Sequence, residues 1–173
     1  MKDQAERARL FRELHQPGNP VVLFNAWDAG SAKVIAETGA KAIATGSWSV
    51  AAAYGYEDGE KIPLPVALAN LERIVSCVDF PVTFDLEAGY GDIASSLRQA
   101  VAAGAIGCNY EDGRIGQEGL HPIAEQSARI REARAAADSG LKGVFINART
   151  DMFLHADPGT HSDAMVEEAV LRA

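Results

Sequence analysis

The chain has 173 residues, 47% of them hydrophobic and 23% charged, and a formal net charge of −8. That length carries one sizeable core, not two comfortable domains, and the acidic balance excludes a general nucleic-acid binder, which needs a basic face to neutralise phosphates. No apolar run approaches the ~20 residues of a membrane-spanning helix, and the N-terminus, Met1-Lys2-Asp3-Gln4-Ala5-Glu6-Arg7, is charged and amphipathic instead of signal-like. The expectation is a single domain in the cytoplasm, without a membrane or nucleic-acid partner.

In chain order, the amphipathic stretch Asp3–His15 predicts a helix. The apolar run Pro20–Trp27 predicts a first strand, after which Asp28 stands at an N-cap position before the helix Gly30–Glu37, which Gly39 stops. A second strand, Ala42–Gly46, leads into Ser47–Pro63, read as a working loop that holds the acidic run Gly55-Tyr56-Glu57-Asp58-Gly59-Glu60. A helix over Leu64–Val75 precedes the strand Pro81–Glu87. Asp92 caps the helix Ile93–Ala103, and Gly104 separates it from the strand Ala105–Glu111. The loop Asp112–His121, the helix Pro122–Ala137 with Gly140 beyond it, the strand Gly143–Arg149, the loop His155–Ser162 and the helix Asp163–Arg172 complete the chain. The strands are apolar almost to their last residues, as suits strands buried on both faces of a parallel sheet. The unit is βα, repeated five times with no break in composition between repeats.

Two α/β architectures fit five such units. An open doubly wound sheet would be complete at this length, whereas a (β/α)₈ barrel would lack roughly three of its eight units. Polar residues recur at several strand ends instead of gathering at one switch point, which favours the barrel. Ligands of either fold bind at the C-terminal ends of the strands.

Those ends carry the chemistry. Strand alternation puts Asp85 and Glu87 on one face, Asn109 and Glu111 on one face, and Asn147, Arg149 and Asp151 on one face. Three acids facing inward on adjacent strands are expensive to bury without a cation. Carboxylate oxygens suit a hard divalent ion: Mg2+ first, with Mn2+ or Ca2+ as alternatives, while the lack of a His/Cys cluster argues against zinc. Arg149 has the planar fork for a substrate carboxylate or for charge developing as a bond breaks, or else it pairs with a neighbouring strand-end acid. The turn Thr45-Gly46-Ser47-Trp48 offers a nest of backbone amides for an oxyanion, or is a plain turn. Cys77 and Cys108 read as buried free thiols, and the scattered histidines His15, His121, His155 and His161 as surface residues. Trp27 and Trp48 read as a pocket floor or as core.

Asn25-Ala26-Trp27-Asp28-Ala29-Gly30-Ser31-Ala32, Thr45-Gly46-Ser47, Asp85-Leu86-Glu87-Ala88-Gly89-Tyr90-Gly91, Asn109-Tyr110-Glu111-Asp112 and Asn147-Ala148-Arg149-Thr150-Asp151 together resemble the isocitrate lyase and phosphoenolpyruvate mutase superfamily from about residue 5 onward. The resemblance implies a Mg2+-dependent (β/α)₈ TIM barrel, of which about the first five βα units are present as the N-terminal two-thirds. It implies a homo-oligomer, dimer or tetramer. It also implies a small carboxylic acid substrate, an α-oxocarboxylate whose C–C or P–C bond is broken or rearranged through an enolate. By position it assigns Asp85, Glu87 and Glu111 to the metal, Arg149 and the mobile-loop Asp58 to catalysis, and Thr45, Gly46, Ser47 and Trp48 to substrate binding. Superfamily members that cleave isocitrate or methylisocitrate carry a Lys-Lys/Arg-Cys-Gly-His motif where this chain has Asp112-Gly113-Arg114-Ile115-Gly116-Gln117-Glu118-Gly119-Leu120, so the mutase-like branch, including phosphonomutases and oxaloacetate-acting enzymes, is preferred. The rival expectations are an inactive truncated barrel module and a flavodoxin-like nucleotide-binding domain; the latter would need a glycine-rich phosphate loop, for which Asp28-Ala29-Gly30-Ser31 is a poor match.

Overall fold

A computed structural model describes residues 3–140, 143–154 and 156–173. In chain order its elements are α1 (Gln4–Leu14), β1 (Phe24–Ala26), α2 (Ala29–Glu37), β2 (Ile43–Thr45), α3 (Ser47–Ala53), α4 (Leu64–Ser76), β3 (Val82–Asp85), α5 (Ile93–Ala102), β4 (Gly107–Glu111), α6 (Ile123–Ser139), β5 (Phe145–Arg149) and α7 (Asp163–Arg172), with a short 3₁₀ turn at Pro158–Thr160. The five strands form one parallel sheet in the order β1-β2-β3-β4-β5. This order settles the architecture in favour of the barrel type. A doubly wound sheet reverses its strand order at the switch point, whereas here every strand lies beside the one before it in sequence.

The register sorts side chains into two faces. Phe84, Cys108 and Ile146 lie level across β3, β4 and β5, as do Asp85, Asn109 and Asn147 one residue later. The first set belongs to the core, with Val82, Leu86 and Tyr110, against Leu71 and Ile74 of α4, Leu97 and Ala100 of α5, and Ala133 and Ala137 of α6. The second set belongs to the opposite, polar face, where Asn147 Nδ2 donates to Asn109 Oδ1 at 2.9 Å. At the other end of the sheet α1 buries Ala8 and Phe11 beside Ala42 and Ile106, and Phe11 meets Phe145 edge-on with ring centres 5.3 Å apart.

Local signals behave as their chemistry requires. Asp28 and Asp92 cap α2 and α5, each accepting from the backbone three residues on, and Ser31 closes a capping box with Asp28. Gly104 ends α5 at φ +101°, where a side chain would collide with Val75. The strands are shorter than their apolar runs, in part because Pro20 and Pro81 have no N–H for the ladder; Pro81 only accepts, from Ile43, at 3.0 Å.

Three expectations change. Ser47–Pro63 is not a loop throughout, because its alanine-rich start forms α3 and buries Val50 and Ala51. Trp27 and Trp48 are 44% and 69% exposed, so neither is core. Both cysteines are free, but only Cys108 is fully buried. His155, at the start of the expected loop His155–Ser162, lies outside the described residues; the rest of that segment includes the 3₁₀ turn. Among the described residues, no helix is long and apolar enough to cross a membrane.

Candidate active site

At the C-terminal rim of the sheet, Asp85 ends β3, Glu111 ends β4 and Arg149 ends β5; Glu111 and Arg149 are register partners. The Arg149 guanidinium is the hub of the cluster. Its Nη2 donates to Glu111 Oε2, its Nε donates to Asp151 Oδ1 at 2.8 Å, and its Nη1 stands 3.9 Å from Asp85 Oδ1, beyond hydrogen-bond length. All three acids are buried. Asp112, also buried, accepts from the Asp151 N–H at 2.9 Å and from Arg172 of α7 at 3.2 Å, which anchors the chain beyond β5.

Asp85 is held on one side only. Its backbone N–H donates to Thr45 Oγ1 at 2.9 Å, and its Oδ2 accepts from the Ser47 N–H at 3.1 Å, so the expected substrate-binding turn contacts it directly. Its Oδ1 is buried without a hydrogen-bond partner. Gly46 is needed here, because a Cβ at that position would fall 2.9 Å from Ser49 Oγ and 3.1 Å from Asn25 Nδ2.

Glu87 reaches the site by a route that strand alternation does not describe. The strand ends at Asp85, and Glu87 itself takes φ +50°. Its Oε2 accepts from the Glu60 N–H at 2.8 Å and its Oε1 from the Tyr90 hydroxyl at 3.1 Å. Burial pushes its carboxyl up to about 7, with the charges of Asp58 and Asp85 adding to the rise and the bonds from Glu60 and Tyr90 opposing it. Burial also raises Glu60. From behind, Arg129 of α6 lies over the Tyr110 ring at 4.7 Å and donates to the carbonyls of Ala88 at 2.8 Å and Glu111 at 3.3 Å, tying the two strand-end loops together.

These groups open onto a cleft of about 930 Å³ lined by Ser47, Asp58, Glu87, Glu111, Arg149 and the 113–120 loop. That loop is closed by a bridge between Gly113 and Leu120 and by Arg114 N–H to Gly119 O at 3.3 Å. Thr45 is buried against the Asp85 backbone, Trp48 stands exposed on α3, and Asp58 is exposed on the cleft wall. Among the described residues, no three Asp, Glu, His or Cys side chains form a ready-made metal ligand set. The arrangement nevertheless fits Mg2+, which keeps several waters and takes only one or two carboxylates directly: Asp85 Oδ1 is available as a direct ligand, while Glu87 and Glu111 are engaged elsewhere and suit contact through water.

Glu60, Tyr90, Arg129 and Asp112 were missed as site builders. Glu60 is one more acid in the run 55–60 and Arg129 one of several charges on the expected helix 122–137, and neither has a spacing signature. Tyr90 lay inside the most specific family motif, and that was its one visible signal.

The model of the phosphoenolpyruvate phosphomutase family matches residues 11–173. The 2-methylisocitrate lyase of Vibrio cholerae is 32% identical over 152 residues, covering 83% of this chain and 48% of its own length. A crystal structure from Burkholderia cenocepacia J2315, provisionally described as a phosphonomutase, superposes with a TM-score of 0.93 at 47% identity, over 99% of this chain and 69% of that one. A phosphonopyruvate hydrolase complexed with oxalate and Mg2+ shares the fold at a TM-score of 0.79 and 23% identity, over 98% of this chain and 58% of that one. The chain spans about half the length of the curated relatives it matches. With its sequential βα units and the family motifs at their C-terminal rim, the chain belongs to the phosphoenolpyruvate phosphomutase family, within the isocitrate lyase superfamily.

Proposed function

We propose that the protein breaks or rearranges a C–C or P–C bond of an oxaloacetate- or phosphonopyruvate-like acid, with Mg2+ at Asp85. The observation that carries this reading is the pairing of a buried carboxylate oxygen without a hydrogen-bond partner, Asp85 Oδ1, with the guanidinium of Arg149, which lines the cleft and stands 3.9 Å away. An ion held at Asp85 Oδ1, with Glu87 and Glu111 acting through water, would supply a Lewis acid for the negative charge of an enolate.

The other roles belong to the chain itself. Thr45 fixes the backbone of Asp85, and the Gly46–Trp48 segment lies beside the carboxylate, where a substrate oxygen would also meet it. Arg149 can exchange a carboxylate partner for the substrate's acid group, since its planar fork matches carboxylate and phosphoryl oxygens. Asp58, on the exposed wall, faces the same space and would orient the attacking or departing group. The 113–120 loop lacks cysteine, so it provides no thiol acid or base for isocitrate-type cleavage. A homo-oligomer, on the family resemblance, remains part of this reading, with the cytoplasm as the default compartment.

The test is turnover with Mg2+. The protein is expected to consume oxaloacetate or phosphonopyruvate and to leave isocitrate and methylisocitrate intact, and Arg149→Lys is expected to lose turnover although it keeps the charge. Robust isocitrate cleavage by the parent, or an undiminished Arg149→Lys rate, would overturn the reading.

A further inference from the structure

Three non-glycine residues among those described have positive φ: Glu60 at 60°, Glu87 at 50° and Tyr90 at 54°. Such backbone is uncommon for residues with a Cβ and persists where the surroundings over-determine it. The three are not scattered, for each is hydrogen-bonded to the others. The Glu60 N–H donates to Glu87 Oε2 at 2.8 Å, the Tyr90 N–H donates to Glu60 Oε1 at 2.7 Å, and the Tyr90 hydroxyl donates to Glu87 Oε1 at 3.1 Å. Glu60 sits on the segment between α3 and α4, thirty positions from Tyr90 on the segment between β3 and α5. The second segment is immobilised independently, by Arg129 on the Ala88 carbonyl and by the Glu111 N–H on the Glu87 carbonyl at 3.0 Å. The first segment has no comparable support between Asp58 and Lys61, both of which are exposed.

We infer that Glu60 is a positioning residue: its carboxylate, clasping the Tyr90 backbone amide while its own amide clasps Glu87, holds the 55–61 loop against the β3–α5 loop and so fixes Asp58 on the wall of the cleft. Left-handed backbone at all three positions brings donors and acceptors of the two loops face to face, which extended or helical geometry at Glu60 would not do. The inference rests on the functional reading for the role of Asp58, but the clasp itself does not depend on it.

The closing experiment separates the two. Glu60→Gln keeps an acceptor oxygen for the Tyr90 amide, while Glu60→Ala removes it; both are neutral and both retain the same φ demand, so their difference reports the clasp alone. In the full chain, trypsin cleavage after Lys61 is expected to be several-fold faster in Glu60→Ala than in Glu60→Gln. Equal rates would overturn the clasp, whatever the protein's activity. Where the parent turns over oxaloacetate or phosphonopyruvate, Glu60→Ala should lower kcat more than it raises KM, Glu60→Gln should restore it, and adding Glu60→Ala to Asp58→Asn should cost nothing further, because the two act through one group. Full additivity with Asp58→Asn would overturn the positioning role. A parent inactive on both acids would count against the functional reading and leave the protease comparison to decide the clasp.

Discussion

At the scale of single residues, the cleft is a set of charges that satisfy one another incompletely. Arg149 engages Glu111 and Asp151 but stops short of Asp85 Oδ1, which no donor reaches. If that oxygen is a metal ligand, Mg2+ should raise the thermal midpoint of the parent by mass action, and Asp85→Ala should abolish the shift in a calorimetric scan; equal shifts in both proteins would remove Asp85 from the site. Glu87 gives a second test. Its folded carboxyl titrates near 7 against an ordinary value of 4.5, so the native state holds its proton more tightly than the unfolded chain. Its stabilising contribution is therefore complete below 4.5 and lost as pH rises through about 7. In chelator, urea unfolding should show the parent losing stability across that window relative to Glu87→Gln, and parallel profiles would refute it. Strand parity made Asp85, Glu111 and Arg149 legible in the sequence. It could not reveal that Glu87 enters through a left-handed turn, where the Tyr90 hydroxyl three residues on reaches it, nor that Glu60 is its partner, because that contact joins segments 27 positions apart in sequence.

At the scale of elements, the repeat of apolar run and amphipathic run was legible because Asp28 and Asp92 mark helix starts and Gly39 and Gly104 mark helix stops. Asp28 shows the physics most simply. It accepts from Ser31 N–H at 2.7 Å, and that hydrogen bond holds its carboxyl below the usual range. Asp28→Ala should cost about 1 kcal/mol of stability by thermal or urea unfolding, with Asp28→Asn recovering most of it; no loss would mean that α2 does not depend on its cap. The element that escaped the sequence reading, α3, lacks such marks. Gly46 offers no side-chain cap, and the helix Ser47–Ala53 is short, so only the burial of Val50 and Ala51 distinguishes helix from loop. Strand lengths were overread for a related reason, since an apolar run continues past the last residue that finds a ladder partner.

At the scale of the whole molecule, chain length pointed to an open sheet and the distribution of polar strand ends to a barrel; strand order agrees with the latter. Within the described residues β1 and β5 are the sheet's edges, and Phe24, Val170 and Leu171 are 54%, 69% and 72% exposed. Unpaired edges beside apolar surface favour association. A preparation of these 173 residues should therefore show concentration-dependent mass by light scattering, reduced in a Phe24→Lys/Leu171→Lys chain, and a parent monodisperse as a monomer would contradict this. Strand order has one more consequence, for biosynthesis. Each strand pairs with the strand that left the ribosome just before it, so no unit has to wait for a distant segment before docking. Sequence separations between paired strands stay short, loop-closure costs stay small, and the rim charges come into place one after another: Asp85 first, Glu111 next, and finally Arg149, which pairs with Glu111.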